Sequence, residues 1–272
     1  MKTFRISAIF AILCAGLLFT TSCGDDDDDN KKDDTQVKGA FSVSATKKVV
    51  FSSGNLQYKP STKTWRFAEH QYDCVGLDNA NISDTYDGWI DLFGWGTWID
   101  GGNPVNTSAT PSDYTWDSSK SAAIGSEWVA LTKDEWNYIK AHNQYGVAEV
   151  NGVNGVILLP DEFTMPDGIT FKAGVATENG AEYFKTINSF TLADWSKLEA
   201  AGAVFLPTAG HRTHDADGNI QINNVNAGGA TWTPTTDGET AAYGFGCFSN
   251  IVTVDNSRTF DFGFSVRLVK VL

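Results

Sequence analysis

Alternating hydrophobic and polar residues predict the clearest strand near the C-terminus. Five apolar residues occupy every second position over nine residues, namely Phe260, Phe262, Phe264, Val266 and Leu268. Asp, Gly, Ser and Arg fill the positions between them. A period of two residues over this length predicts a half-buried strand. The same alternation at Tyr243, Phe245 and Cys247 predicts another strand shortly before it.

The region near residue 40 also has strand patterns. Phe41 and Val43 alternate with serine, which predicts a strand there. Leu56–Tyr58 and Trp65–Phe67 alternate on either side of a short segment that contains Pro60. Two alternating segments around such a loop predict a β-hairpin.

Two segments have the start signals of amphipathic helices. Thr132 followed by Glu135 forms a capping-box pattern, so we predict a helix that begins directly after Thr132. A second helix is predicted from near Thr191, with Asp194 in its first turn, where a negative charge suits the helix dipole. Gly202 is the predicted stop of this second helix.

Long segments rich in Gly, Asn, Thr and Asp separate these elements. They cover residues 76–126, 166–189 and 208–240, and we predict them to be loops. No linker and no internal repeat interrupts residues 40–272. The predicted fold is therefore a loop-rich α+β single domain over 40–272, with two helices and antiparallel strands.

The N-terminus has the features of a secretion signal. Lys2 and Arg5 precede an apolar run, Ala8–Phe19, which is too short to cross a bilayer. Small residues then lead to Cys23, as in a bacterial lipobox, although Thr20 stands where that motif has Leu. We predict that residues 1–22 are a lipoprotein signal peptide and that Cys23 is lipidated. The alternative is an ordinary secretory signal that is cut nearby.

The residues after Cys23 predict an acidic tether. Asp25–Asp29 are five adjacent carboxylates, which repel one another and cannot pack into a core. Such a run directly after the lipidated Cys resembles the surface-export signal of Bacteroidetes-type lipoproteins. We therefore predict a flexible tether over residues 23–39 and a lipid-anchored protein of the outer membrane that is exposed at the cell surface. The membrane is then its first partner.

Composition and charge exclude several classes of protein. Nine Trp, 17 Phe and eight Tyr exclude a disordered chain. Residues 40–272 contain 15 Lys and Arg against 26 Asp and Glu, a net charge of −11. A nucleic acid is not an expected partner, because phosphate binding needs clustered basic residues. Four Cys in 272 residues exclude a disulfide scaffold.

Six ordered motifs carry a resemblance to known proteins: Asn55–Tyr58, Trp65–Phe67, Gly88–Gly96, Trp128–Trp136, Gly155–Pro160 and Gly263–Leu268. Together they resemble a group of secreted lipoproteins from gut-type bacteria. The C-terminal half is similar to the Fibrobacter succinogenes major paralogous domain. That domain resembles the formylglycine-generating-enzyme branch of the C-type-lectin-like fold. The resemblance implies a C-type-lectin-like domain whose paired terminal strands frame a long, ligand-binding loop region.

The sequence lacks the residues that carry the chemistry of that enzyme branch. The family enzyme works through a pair of Cys that binds copper, whereas this chain has only Cys247 in the corresponding region. Its alternation with Phe245 predicts a buried, inert thiol. A disulfide between Cys74 and Cys247 is the open alternative. The calcium motifs of lectins are also missing, so we predict no cofactor and no metal.

Asp215 and Asp217 lie in the densest cluster of ligand-type residues, which runs from His211 to Asn219. Their carboxylates are candidate calcium ligands, and the histidines are candidate ligands for a transition metal. Asp217-Gly218 is also a strong signal for a two-residue hairpin turn, and we favour the turn. Asp215 and Asp217 remain candidates for ligand binding.

Tryptophans in Gly-rich segments are candidates for stacking on sugars. Trp89 and Trp95 lie in an apolar motif, which favours burial in the core. Trp98 and Trp232 have polar neighbours, so we predict that these two rings are exposed and bind ligand. The candidate binding residues are therefore Trp98, Trp232, Asp215 and Asp217.

Signatures of catalysis are missing from the sequence. It contains no Gly-x-Ser-x-Gly, His-Glu-x-x-His, Cys-x-x-Cys or phosphate-binding loop. We therefore predict a non-catalytic surface lipoprotein that binds a ligand, with a glycan as the candidate. The alternative is a structural or adhesive component of a cell-envelope assembly, whose partner is a protein.

Overall fold

A computed structural model of the chain describes residues 36–96, 124–125, 127–176, 185–248 and 251–272. All of them fall in one compact unit, Asp33–Leu272. Among these residues there are two α-helices, and every pairing between named strands is antiparallel except one. The predicted α+β class is confirmed. Neither described helix is long and apolar enough to cross a bilayer.

One sheet joins strands from both ends of the described chain. Its order is β1 (Gln36–Ser42), β2 (Lys48–Ser52), β17 (Leu268–Val271) and β6 (Trp128–Ala130). Strand β1 begins four residues before the predicted start of the domain at residue 40. The predicted tether is therefore too long at its C-terminal end. Gly39 is buried there and lies so close to Gly202 that a Cβ at position 39 would overlap the carbonyl oxygen of Gly202.

Two further four-stranded sheets and two smaller units complete the strands. The second sheet has the order β10 (Val204–Pro207), β8 (Val153–Leu158), β7 (Tyr145–Val150) and β9 (Asn188–Phe190), with β9 parallel to β7. The third has the order β12 (Ile220–Asn223), β11 (His211–His214), β16 (Gly263–Phe264) and β5 (Phe93–Gly94). A three-stranded sheet contains β13 (Gly228–Asp237), β14 (Ala241–Phe248) and β15 (Ile251–Thr259).

The predicted N-terminal hairpin is confirmed as the fifth unit. It consists of β3 (Leu56–Lys59) and β4 (Thr64–Phe67), joined through the 3₁₀ turn Pro60–Thr62. Pro60 fits the first turn because it has no N–H to satisfy. A second 3₁₀ turn covers Gly76–Ala80.

Both predicted helices are confirmed, and their ends follow from local capping. Helix α1 (Lys133–His142) has the complete capping box, with Thr132 and Glu135 satisfying each other's backbone N–H groups. Helix α2 (Leu192–Ala200) begins after Thr191, whose hydroxyl accepts the N–H of Asp194.

The predicted half-buried strand over residues 260–268 is wrong. The chain turns after Thr259, and β16 has only two residues before β17 begins at Leu268. The polar positions are as buried as the apolar ones, with Ser265 3% and Arg267 1% exposed. The strand is also paired along both edges, because Gly263 pairs with Arg212 on one side and with Gly94 on the other.

The predicted loop over residues 208–240 is also wrong. This segment contains β11, β12 and β13. Strand β13 lies against β14 at very short range, since a Cβ on Gly246 would overlap the carbonyl oxygen of Gly229. Small residues therefore permit a close strand pair here rather than marking a loop. The predicted loop over 76–126 falls mainly on residues outside the described ranges.

Four tryptophans of the described core are almost completely buried: Trp128, Trp136, Trp195 and Trp232. Trp136 of α1 stacks on Phe245 of β14, with ring centroids 4.3 Å apart and planes within 3°. Trp195 of α2 packs edge-on against Phe205 of β10. Each helix therefore attaches to a sheet through one tryptophan, which contributes a large part of the apolar area buried there.

Cys74 and Cys247, the two described cysteines, do not form a disulfide with each other. Cys247 is 1% exposed, so the prediction of a buried thiol is confirmed. Cys74 is partly exposed and lies close to the buried carboxylate of Asp91. Burial, with the neighbouring charges of Asp91 and Asp73, raises the pKa of the Cys74 thiol to about 12. At neutral pH this thiol is protonated and a poor nucleophile.

Candidate functional site

Asp215 and Asp217 lie at the tip of the β11–β12 hairpin, as the turn interpretation predicts. The connection is longer than two residues, because Asp215 and Asn219 still pair through their backbones. The Asp215 carboxylate accepts the N–H groups of Asp217 and Asn219 at 3.0 and 2.8 Å, and the Asn219 side chain at 3.0 Å. These bonds, first that of the Asn219 side chain, lower the pKa of Asp215. Its oxygens hold the turn together.

Trp232 is a core residue, so its prediction as an exposed ligand-binding ring is wrong. It is 1% exposed, and its Nε1 donates a 2.7 Å hydrogen bond to the carbonyl oxygen of Phe93. Its threonine neighbours suggested exposure, but Thr231 and Thr233 are buried as well. Trp98 lies outside the described residues.

The predictions for the other two tryptophans have different outcomes. Trp95 is 4% exposed and stacks on Phe260, which confirms a core role. Trp89 is only half-buried, so its prediction as core is wrong. The guanidinium carbon of Arg66 lies 3.8 Å from the centroid of the Trp89 ring. Trp89 is therefore part of a surface cation–π pair.

An open groove of about 470 Å³ runs beside the β3–β4 hairpin. We call it the hairpin groove, and its lining residues are Ser53, Trp65, Arg66, Phe67, Ala68, Glu69 and Ile124. Trp65 is almost fully buried beneath it, whereas the Phe67 ring is half-exposed and packs edge-on against Trp128. Arg66 and Glu69 are exposed. Apolar rings beside two opposite charges suit an amphipathic small molecule.

Sequence reasoning did not find the hairpin groove, although a signal for it was present. Gln57 and Arg66 stand directly opposite each other in the β3–β4 register. The alternation in Trp65–Phe67 places Arg66 on the face away from its neighbours. A hairpin pattern therefore predicts the Gln57–Arg66 pair, while the approach of Trp89 depends on tertiary structure.

A second polar cluster surrounds β11. His214 Nε2 lies 2.7 Å from a carboxylate oxygen of Asp261, and its Nδ1 lies 3.3 Å from the carbonyl oxygen of Asp215. His211 instead stacks on Phe262, with ring centroids 4.7 Å apart. The described residues contain no group of three acidic, His or Cys side chains that could hold a metal ion. His211 and His214 therefore do not form a metal site with Asp215 and Asp217.

We predict that the pKa values of the two β11 histidines are shifted in opposite directions from the ordinary imidazole value. The hydrogen bond to Asp261 raises the pKa of His214, because the imidazolium donates to that carboxylate. Burial, and then the charge of Arg258, lowers the pKa of His211 to about 4. NMR titration of the ring protons is expected to give His214 a value above 6.5 and His211 a value well below it. In Asp261→Asn the His214 value should fall while that of His211 changes little; unchanged values for both would contradict the assignment.

Asp91 is a fully buried carboxylate that organises the 3₁₀ turn Gly76–Ala80. It accepts hydrogen bonds from the backbone of Val75 at 2.9 Å and from the side chain of Asn79 at 2.8 Å. The side-chain carbonyl oxygen of Asn79 in turn accepts the N–H groups of Asp91 and Leu92. Burial raises the pKa of Asp91 from 3.8 to about 6, in spite of these hydrogen bonds.

This shift predicts a stability that falls as the pH rises. The folded protein binds the Asp91 proton more tightly than the unfolded chain does. The contribution of this proton to the free energy of unfolding therefore declines between about pH 4 and pH 6, by up to about 3 kcal/mol. Urea unfolding of the wild type and of Asp91→Asn across this range measures the difference. Asp87→Asn is the control, because hydrogen bonds from Lys59 and Ser61 lower the pKa of the exposed Asp87. Parallel pH profiles for the wild type and Asp91→Asn would contradict the prediction.

No protein-family model, no curated protein and no solved structure matches the chain. The family and the activity that the motifs imply therefore stay predictions.

Proposed function

We propose that the chain is a non-catalytic lipoprotein, anchored through Cys23 to the outer membrane and exposed at the cell surface. The support is the order of segments at the N-terminus: a short apolar run, small residues, a cysteine and then five aspartates. Two or more acyl chains on Cys23 anchor a protein firmly, because each buried methylene contributes about 0.8 kcal/mol. The acidic tether then holds the domain away from the membrane.

We also propose that the domain is C-type-lectin-like. The first support is the pairing of β2 with β17, which brings the two ends of the domain together. The second is the position of the resembling motifs, which form β3, β4, β8, α1 and β16. One of these motifs, Trp65–Phe67, lines the hairpin groove. Such a fold presents a ligand site between irregular segments on a rigid frame.

The proposed ligand is a glycan, and the hairpin groove is the observation that carries the proposal. A sugar has an apolar C–H face and a polar hydroxyl edge. The groove offers the half-exposed ring of Phe67 for the face, and Arg66 and Glu69 for the hydroxyls. Its volume of about 470 Å³ lies within the range of small-ligand sites.

A glycan array tests the binding function. The probe is the chain without residues 1–22, with Cys23→Ser so that it is soluble. We expect binding to a restricted set of oligosaccharides and a loss of that binding in Phe67→Ser. If no glycan binds, and cross-linking of intact cells gives a stoichiometric protein partner instead, the chain is a structural component of an envelope assembly.

Fractionation of cells tests the anchor. Wild-type protein is expected in the outer membrane and accessible to added protease, whereas Cys23→Ala should be released in soluble form. Mass spectrometry of the mature N-terminus should find acyl chains on Cys23. An unmodified thiol there would contradict the proposed anchor.

A further inference from the structure

Arg66 is held in one orientation at the edge of the hairpin groove. Its Nε donates a 2.9 Å hydrogen bond to the side-chain carbonyl oxygen of Gln57, which is itself 4% exposed. Its guanidinium carbon lies 3.8 Å from the centroid of the Trp89 ring. A long arginine side chain normally loses much rotamer entropy when it binds a ligand. Here Gln57 and Trp89 have already restricted it.

The outer edge of this guanidinium is unused by the described residues. The hydrogen bond from Nε to Gln57 is the only one it makes with them, so neither Nη has a described partner. Lys59, on the same hairpin, is different, because its ammonium is paired with Asp87 at 2.8 Å. Residues 40–272 carry a net charge of −11, so an unpaired cation stands out on an acidic surface.

We propose that the hairpin groove binds an oligosaccharide with a carboxylate, such as a uronic acid, and that Arg66 holds this carboxylate through both Nη groups. This inference rests on the proposed glycan-binding function. The planar fork of arginine matches the two oxygens of a carboxylate, and such a bidentate pair is among the stronger hydrogen-bonded contacts. The rest of the oligosaccharide then lies along the groove that Arg66 and Phe67 both line.

Glu69 limits the charge of the ligand. Its exposed carboxylate lines the same groove and repels a ligand with many negative charges. It can accept hydrogen bonds from sugar hydroxyls, which a densely sulfated chain offers less often. One carboxylate per sugar among free hydroxyls therefore fits the pair of Arg66 and Glu69 best.

Calorimetry with matched acidic and neutral sugars tests this inference. The probes are trisaccharides of galacturonate, guluronate and glucuronate, each compared with its carboxyl-reduced neutral form. We expect the wild type to bind at least one acid about 10- to 100-fold more tightly than its neutral form, as for hydrogen bonds to a charged group. Arg66→Gln should remove this preference, so that this variant binds the acidic and the neutral form equally.

Arg258→Gln is the matched control, because Arg258 is another exposed arginine over an aromatic ring, that of Phe262. It should bind as the wild type does. Arg66→Lys keeps the charge but not the fork, and it should lose most of the preference; full retention would overturn the bidentate contact. Two results for the wild type would overturn the inference and leave the proposed function intact. One is equal binding of the acidic and neutral forms, and the other is binding of neutral glycans on the array without binding of any acid. No glycan binding at all overturns both.

Discussion

Trp136→Ala is expected to lower the free energy of unfolding by about 4 kcal/mol. The indole is 0% exposed and stacks on Phe245 at a centroid distance of 4.3 Å. It also contacts Phe51 of β2, with centroids 5.6 Å apart. Truncation would leave a cavity where α1 meets two sheets, and neighbouring backbone cannot easily fill it. Urea unfolding of the chain without residues 1–22 measures the loss.

Two variants separate this packing effect from other causes. Trp136→Phe should cost only about 1 kcal/mol, because Nε1 is buried without a partner among the described residues and the ring stack survives. Trp89→Ala should also cost about 1 kcal/mol, since that ring is half-exposed and loses mainly its contact with Arg66. Equal losses for Trp136→Ala and Trp89→Ala would show that burial does not decide the effect.

The elements predicted correctly from sequence are those with local causes. Both helices begin directly after a threonine N-cap. Alternation of apolar and polar residues on either side of Pro60 sets the β3–β4 hairpin. The Asp217-Gly218 turn likewise depends on a few adjacent residues. Each signal lies within about ten residues of the element that it determines, so no tertiary information is needed.

The strands that the sequence did not predict depend on contacts between distant segments. Thr231 and Thr233 have the pattern of surface residues, yet their hydroxyls are used inside: Thr231 accepts the N–H of Arg267, and Thr233 donates to the carbonyl oxygen of Tyr243. Such hydrogen bonds permit burial of a polar strand. A sequence pattern cannot distinguish a threonine that is satisfied internally from one that faces water. The burial of Trp232 follows from this same strand.

The sequence led us to expect a ligand site, but it did not predict the position of the hairpin groove. Tryptophan and acidic residues in turn-rich segments indicated a ligand site, but the described candidates serve the core and a turn. Arg66, at the edge of the hairpin groove, contacts Trp89, which is far from it in sequence and meets it only when the hairpin folds against the following segment. Only the Gln57–Arg66 pair could have been inferred, from strand register.

Arg267→Ala is expected to cost about 2–5 kcal/mol, the range for truncating a large buried side chain to alanine and leaving a cavity. The guanidinium is 1% exposed and donates from Nη2 to the Gln71 side chain at 2.6 Å, with a longer contact to Asn55 at 3.5 Å. Gln71 also accepts the N–H of Phe205 and donates to Glu199. Arg267 therefore ties the end of the chain to the hairpin, to β10 and to α2.

Arg267→Met distinguishes the charge from the volume in this network. Methionine fills most of the same space, and it removes a buried charge whose Nε has no partner among the described residues. Replacing buried ionic groups by apolar ones of similar size is often nearly neutral. We therefore expect Arg267→Met to recover at least half of the stability lost in Arg267→Ala, measured by urea unfolding at neutral pH. If Arg267→Met is as unstable as Arg267→Ala, the stability depends on the hydrogen bond to Gln71 and not on the space that the side chain fills.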